Sequence, residues 1–307
     1  MILSICPNPS IDCTVELDSL NVGKLNRINN KIETYSGKAL NVAISVARLE
    51  ENSIASGFMF QSHSKMFEQR LESEGVKHQF VYAPGSARLN YKIIDKKAML
   101  TEINDKGENV SLEKQQELID LVRKISEDVD FAVVSGSLPS GVEPSFYDKL
   151  IKAIPDRVKK VVDTEKENLD FALNSHLFMV KPNLRELEEF VKQPLLTKKE
   201  ILNASFSLID RGVEHVLVSM GADGAILTDG KESYYCKSAS VAVNSTVGAG
   251  DCMVAAACVF FNKGLPMIEV LRHSVAAGTA SITTSGTNLF TKEKYKEIYT
   301  KLSCEKI

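Results

Sequence analysis

Five short apolar runs recur along the chain, each closed by turn-forming residues: ILSIC (2–6), FAVVSG (131–136), KKVVDT (159–164), LFMVKPN (177–183) and HVLVSMG (215–221). They are rich in β-formers and continuous rather than alternating. A strand wetted on one face alternates with period two, whereas a strand covered on both faces does not. The runs therefore predict doubly buried strands. The segments between them read as amphipathic helices. In SLEKQQELIDLVRKISEDV (111–129), Leu112, Leu118, Leu121, Val122 and Ile125 fall near a 3.6-residue period. SFYDKLIKAI (145–154) and TKKEILNASFSLIDRG (197–212) behave alike. Strands alternating with helices predict an α/β protein with a mostly parallel central sheet covered on both faces. A chain of 307 residues has room for one large domain of this kind or two ordinary ones.

Two regions break the rhythm. Residues 10–35 and 88–104 alternate polar and apolar side chains. This predicts half-exposed antiparallel strands forming a small second sheet. Such a sheet has one apolar face to bury, which suits a lid, a dimer interface or both. The first residues, MILSICPNPS, lack a basic n-region and read as a first strand rather than a signal peptide. No stretch reaches the ~18 apolar residues of a membrane span. A net charge of −3 gives no reason to expect nucleic acid or an anionic membrane, so an anionic ligand must be caught by a local basic cluster. Cys6, Cys13, Cys236, Cys252, Cys258 and Cys304 form no C-x-x-C pair and have no histidine cluster beside them. They read as free, mostly buried thiols of a cytoplasmic protein rather than zinc ligands.

Chemistry concentrates at turns that follow strands or open helices. In STVGAGDCMV (245–254), Gly248, Ala249 and Gly250 precede one acid, Asp251, and a long apolar helix. Small residues leave backbone N–H groups bare, and a helix N-terminus attracts anions. An acid beside such a turn suits phosphoryl transfer; it equally suits a helix N-cap. Gly37 and Lys38 of SGKALNVA (36–43) enter a helix with Asn41 in its first turn, as a sugar or phosphate contact or as an ordinary capped helix. Asn8 and Asp12 follow the first strand, at the sheet end where open parallel sheets bind ligands, and also fit turn chemistry around Pro7 and Pro9. SGSLPSG (135–141) likewise follows a strand. In KPNLRELEEF (181–190), Asn183 and Glu186 share a first helical turn, either near a hydrated Mg2+ or as a capping box. VSMGADGA (218–225) reads as a nucleotide-wrapping loop or a hairpin turn. No P-loop, G-x-G-x-x-G fingerprint or Ser-His-Asp set is present.

Taken in order, NPSID (8–12), SGKALNVA, TEINDKG (101–107), SGSLPSGV (135–142), KPNLRELE (181–188), VSMGADGA and STVGAGDCMV make the chain resemble the ribokinase-like (PfkB) carbohydrate kinases over nearly its whole length. Within the family it is most similar to members acting on fructose 1-phosphate, then to those acting on tagatose 6-phosphate. The resemblance implies a three-layer α/β/α ribokinase-like fold with a mostly parallel sheet and a small β-sheet lid. It implies a single kinase domain over 1–307, with lid strands inserted at about 10–35 and 88–104. It also implies ATP, Mg2+, a ketohexose monophosphate and a homodimer made through the lid. By position, Asp251 matches the general base and Gly248, Ala249 and Gly250 the anion hole. Asn8, Asp12, Gly37, Lys38 and Asn41 match sugar-phosphate contacts. Arg88 and Ser137 match the substrate-phosphate region, and Lys24 and Arg27 lie where a lid reaches a phosphate across a dimer. Lys181, Asn183 and Glu186 match the Mg2+-ATP element, with Glu186 holding the metal through water. Ser219, Gly221 and Gly224 match the nucleotide loop, with Asn288 near the adenine. Two departures stand out: Ala39 where the family usually has glycine, expected to shift that turn, and Cys252 where it usually has serine.

Overall fold

The computed structural model describes residues 1–97, 99–284 and 288–307. The strands, in chain order, are β1 (Ile2–Cys6), β2 (Ser10–Leu17), β3 (Asn30–Ser36), β4 (Ser53–Phe60), β5 (Lys77–Ala83), β6 (Arg88–Asp95), β7 (Leu100–Asn104), β8 (Phe131–Ser135), β9 (Lys159–Asp163), β10 (Leu177–Val180), β11 (Val213–Ser219), β12 (Ala225–Thr228), β13 (Ser233–Cys236) and β14 (Cys304–Lys306). The helices are α1 (Lys38–Arg48), α2 (Ser64–Ser73), α3 (Leu112–Ile125), α4 (Phe146–Ala153), α5 (Lys166–Ala172), α6 (Leu184–Val191), α7 (Lys198–Ile209), α8 (Ala249–Asn262), α9 (Met267–Ser281) and α10 (Lys292–Lys301).

Ten strands form one sheet in the order β14-β13-β12-β11-β10-β9-β8-β1-β4-β5. It is parallel from β5 through β11. Of the strands expected from the apolar runs, β1, β8 and β10 are buried throughout, β9 is buried but for Lys159, and β11 exposes Glu214; β4 is buried throughout as well. The last three strands pair antiparallel; β12 and β13 must, because the turns after β11 and β12 are too short for a crossover helix, while β14 returns to β13 after α8, α9 and α10. The chain runs outward from β1 to β4 and β5, then returns to build β8, β9, β10 and β11 on the other side. Right-handed crossovers then place α1 and α2 on the face opposite α4 to α7. The strand order reverses between β1 and β8, and the carboxyl ends of the strands there bound the crevice where open sheets bind ligands.

The two alternating regions form a separate four-stranded sheet, β3-β2-β6-β7. Its outer pairs are antiparallel, as expected, but the central pair β2–β6 is parallel. The reason lies in the larger sheet: β2 and β6 each continue from a strand of one parallel set, β1 and β5, so both leave it in the same direction. The pleat then sorts the faces. Cys13, Val15 and Leu17 cluster with Leu89 and Ile93 on one face, while Ser10, Asp12, Arg88, Asn90 and Lys92 share the other.

Ala39 lies within α1, fully buried and not among the residues of positive φ. Ala39 therefore does not need the left-handed conformation on which the expected shift rested: the demanding position is Gly37 (φ +156°), where an added Cβ would meet Cys6 Sγ at 2.7 Å. The cysteines are free, five buried and Cys304 half-buried. Among the described residues no helix is long and apolar enough to cross a membrane.

Candidate active site

Helix α8 is buried from Asp251 through Val259, so its N-terminus is held rigidly. Gly248 precedes it at φ +82°, where an added Cβ would also press on Leu289 Cδ2 at 2.8 Å. The first backbone N–H groups of any helix lack intrahelical acceptors. Here they open, with Gly248, Ala249 and Gly250, onto a cavity of roughly 630 Å3. Gly250 has its own reason to be small, since a Cβ there would come within 3.1 Å of Lys181 Nζ.

Asp251 is not the cap of this helix; Gly248 is, and no side chain caps it. The Asp251 carboxylate is 5% exposed and accepts one hydrogen bond, from Asn41 Nδ2 at 2.8 Å. Asn41 is oriented in turn by Ser36, whose hydroxyl donates to its Oδ1. Burial, reinforced by the nearby charge of Asp163, pushes the Asp251 carboxyl up to about 7, against the opposing pull of Lys38, the Asn41 bond and Lys181. A carboxylate with that affinity for protons is suited to general-base work near neutral pH.

Asp163 ends β9 and is 1% exposed. Its Oδ1 lies 3.4 Å from Lys38 Nζ and 3.5 Å from Lys181 Nζ. Burial alone would raise its carboxyl, but Lys181 and Lys38 outweigh it and hold it below the ordinary value. The same contact holds the Lys38 ammonium above its ordinary value. One buried acid thus aims two ammonium groups at the space in front of the α8 turn. Its Oδ2 is buried without a partner among the described residues.

On the smaller sheet, Asp12 is 6% exposed and well provided with donors. Ser10 and Asn90 donate to its Oδ1, and Lys92 Nζ stands 3.1 Å from its Oδ2. Asp12, Asn90, Lys92 and Arg88 all line the cavity. At the opposite end Asn183 and Glu186 form a capping box at the start of α6, so that alternative is realised. Both nevertheless line the cavity, beside Ser219, Gly221 and Gly224. The 218–225 stretch is also a hairpin connection, between β11 and antiparallel β12. Gly224 must be glycine, for at φ +86° a Cβ would meet the Cys236 carbonyl oxygen at 2.0 Å. Val275, Gly278, Thr279 and Ile282 add a mostly apolar wall.

The cavity thus gathers Asp12, Gly37, Lys38, Asn41, Arg88, Lys181, Asn183, Glu186, Ser219, Gly221, Gly224 and the 248–251 turn. Five expected residues lie outside its lining. Asn8 is buried and latches loops together, donating to the carbonyls of Lys106 and Leu138 and to Ser137 Oγ. Ser137 is engaged by that latch. Lys24 and Arg27 are exposed in the segment between β2 and β3. Asn288 is exposed, with its carbonyl accepting from Arg48. Conversely, Asp163, Asn90 and Lys92 escaped the sequence reading. The signal for the last two was parity: they share the alternation of Asp12 across a parallel register.

Among the described residues no cluster of three or more His, Cys, Asp or Glu could cage a metal. The donors present fit Mg2+ all the same, because Mg2+ usually keeps waters and takes one or two carboxylates plus phosphate oxygens. Glu186 lines the cavity and the buried Asp163 Oδ2 lacks a partner.

Residues 7–294 match the pfkB family carbohydrate kinases. The chain is 32% identical to a 1-phosphofructokinase of Haemophilus influenzae, covering 92% of this chain and 91% of the relative. It is 33% identical to a D-tagatose-1-phosphate kinase of Bacillus licheniformis, covering 93% and 94%. It superposes on phosphofructokinase-2 of Escherichia coli in complex with substrates and products with a TM-score of 0.91, at 26% identity and 98% coverage of each chain.

Proposed function

The chain belongs to the pfkB family of carbohydrate kinases and is an ATP-dependent sugar-phosphate kinase, and on that premise we propose that it phosphorylates fructose 1-phosphate at the 6-hydroxyl, yielding fructose 1,6-bisphosphate and ADP. The observation that carries this reading is Asp251: a buried carboxylate raised to about 7, one residue beyond a bare helix N-terminus and facing two ammonium groups across one cavity. The sugar hydroxyl oxygen forms its bond to the γ-phosphorus as the bond from phosphorus to the β,γ-bridging oxygen breaks. The hydroxyl proton passes to Asp251. Charge developing on the transferring group meets the N–H donors at residues 248–250 and the Lys38 and Lys181 ammonium groups. Asp163 keeps those ammonium groups in place and holds the proton on Lys38 more tightly.

Asp12 and Asn41 read the sugar hydroxyls, and Arg88 reads the substrate's own phosphate. Asn8 shapes the loop between them. Asn183, Glu186, Ser219, Gly221 and Gly224 bound the nucleotide end. When bound, Mg2+ neutralises and orients the ATP phosphates; Glu186 with Asn183 through water, and Asp163, are the residues to hold it. The smaller sheet serves as the lid of a single kinase domain. Its apolar side and the adjoining segment expose Val22, Leu25, Ile28, Tyr91 and Ile103, an unusual concentration for a monomer surface. That supports a homodimer through the lid, with Lys24 and Arg27 at its edge.

The test is kcat/KM for fructose 1-phosphate, tagatose 1-phosphate, tagatose 6-phosphate and fructose 6-phosphate, measured side by side with ADP release as readout. The reading expects fructose 1-phosphate to lead by about tenfold or more. A lead for tagatose 6-phosphate would replace the substrate while leaving the chemistry intact. Tagatose 1-phosphate is the second reading, favoured by the Bacillus licheniformis relative. No turnover of any of the four would overturn the proposal.

A further inference from the structure

Lys92 has no role in the scheme above, yet it is placed for one. It follows Arg88 by four residues on β6, so both project from the polar face of the smaller sheet, about 13 Å apart along the strand. It is 8% exposed and lines the cavity. An ammonium carries three N–H donors. Among the described residues this one has a single acceptor, Asp12 Oδ2 at 3.1 Å. Glu102 stands opposite it in register on β7 but is exposed and forms no ion pair with it. Donors left without acceptors away from bulk water are costly, so a ligand that supplies acceptors is favoured there.

Two further observations give the ligand its character. Asp12 is in register with Asn90, not with Lys92, so the Lys92 side chain leans one row back toward Arg88 to reach it. Arg88 is itself under-neutralised: its Nε is buried without a partner, and it forms no ion pair among the described residues. Lys92 Nζ thus reaches the row that holds Asp12 and Asn90, the Arg88 guanidinium feels the charge of the same Asp12, and both cations line one cavity. Resting on the sugar-phosphate kinase reading, we infer that Lys92 is a second contact for the substrate's own phosphate, beside Arg88, and that its bond to Asp12 joins phosphate recognition to hydroxyl recognition. A sugar lacking the phosphate leaves both cations without an acceptor; a sugar phosphate satisfies them while Asp12 holds a hydroxyl.

The experiment separates contact from positioning. Lys92→Gln keeps a hydrogen-bond donor for Asp12 but removes the charge, and Lys92→Arg keeps the charge. Inorganic phosphate, which has no sugar hydroxyls, is used as a competitor of fructose 1-phosphate at saturating ATP. Lys92→Gln is expected to weaken inhibition by phosphate about tenfold or more and to raise KM for fructose 1-phosphate about 10- to 100-fold, as for loss of a charge-assisted bond. KM for ATP stays unchanged, and Lys92→Arg restores phosphate inhibition to within about threefold. Phosphate inhibition equal to wild type in Lys92→Gln, with a raised KM, would make Lys92 a positioning residue for Asp12 and overturn the inference. A wild-type enzyme that turns over no ketohexose monophosphate would instead remove the substrate reading, and this inference with it.

Discussion

Two aspartates share one cavity and live in opposite environments. Asp12, on the smaller sheet, is met by Ser10, Asn90 and Lys92. Asp251, at the mouth of α8, has one neutral donor and a second carboxylate as its neighbour. Both are about equally buried. Saturating a carboxylate with donors makes it a fixed acceptor; starving it makes it a base. On the proposed reading the smaller sheet holds the substrate and the α8 mouth reacts with it; what sets Asp251 apart is burial with the Asp163 charge beside it and few donors to offset them.

The sharpest way to break this contrast is to remove the starved charge. Asp251→Asn keeps an acceptor for Asn41 but takes no proton. kcat should fall on the order of 10³-fold or more, with ATP still bound in a direct binding measurement. Stability should move the other way. The native carboxyl titrates at about 7, above its unfolded value, so native Asp251 binds more protons than the unfolded chain between those values. Its ionisation costs stability as pH rises toward 7, and the cost is complete above it. Melting at pH 8 should therefore rise by a few degrees in Asp251→Asn. A variant that is both active and less stable would refute the assignment.

Next in size is Asp163→Asn. It frees Lys38 and Lys181 and removes a negative neighbour of Asp251. kcat should drop about 10- to 100-fold. In the wild type kcat/KM should climb with pH to a plateau above about 7, because the base must be ionised. In Asp163→Asn that rise should move to lower pH, since one of the influences raising the Asp251 carboxyl is gone. An unmoved profile would mean that Asp251 is not the titrating group.

Asp12→Asn should act on the other side of the comparison. KM for the sugar phosphate should increase about tenfold, while kcat and KM for ATP change by less than about threefold. A large loss of kcat instead would make Asp12 part of the chemistry. The smallest effect is expected from Ala39→Gly, which restores the residue usual in the family. Ala39 already sits in ordinary helical conformation, so kcat/KM should stay within about twofold, and stability should fall by up to ~1 kcal/mol from the lower helix propensity of glycine.

Much of this was legible before the fold. The buried strands and the amphipathic helices follow from period, and the helix-opening turns from small residues ahead of apolar runs. Asn183 and Glu186 had two readings at spacing three, and the structure realises the capping box while still turning both toward the cavity. Asn8 looked like a ligand because it follows β1, yet its amide serves loops contributed by residues about a hundred or more positions away. No local pattern could reveal those partners.

The sequence by itself determined the layers, the order of the motifs, and the glycine and acid that open α8, because periodicity, turn chemistry and helix ends are short-range properties of neighbouring residues. Only the tertiary structure decided that β2 and β6 run parallel, that Asp163 lies between Lys38 and Lys181, and that Lys92 leans back on Asp12. Each of those depends on groups brought together from distant strands, where burial and the charges of those neighbours set how tightly Asp163 and Asp251 hold their protons.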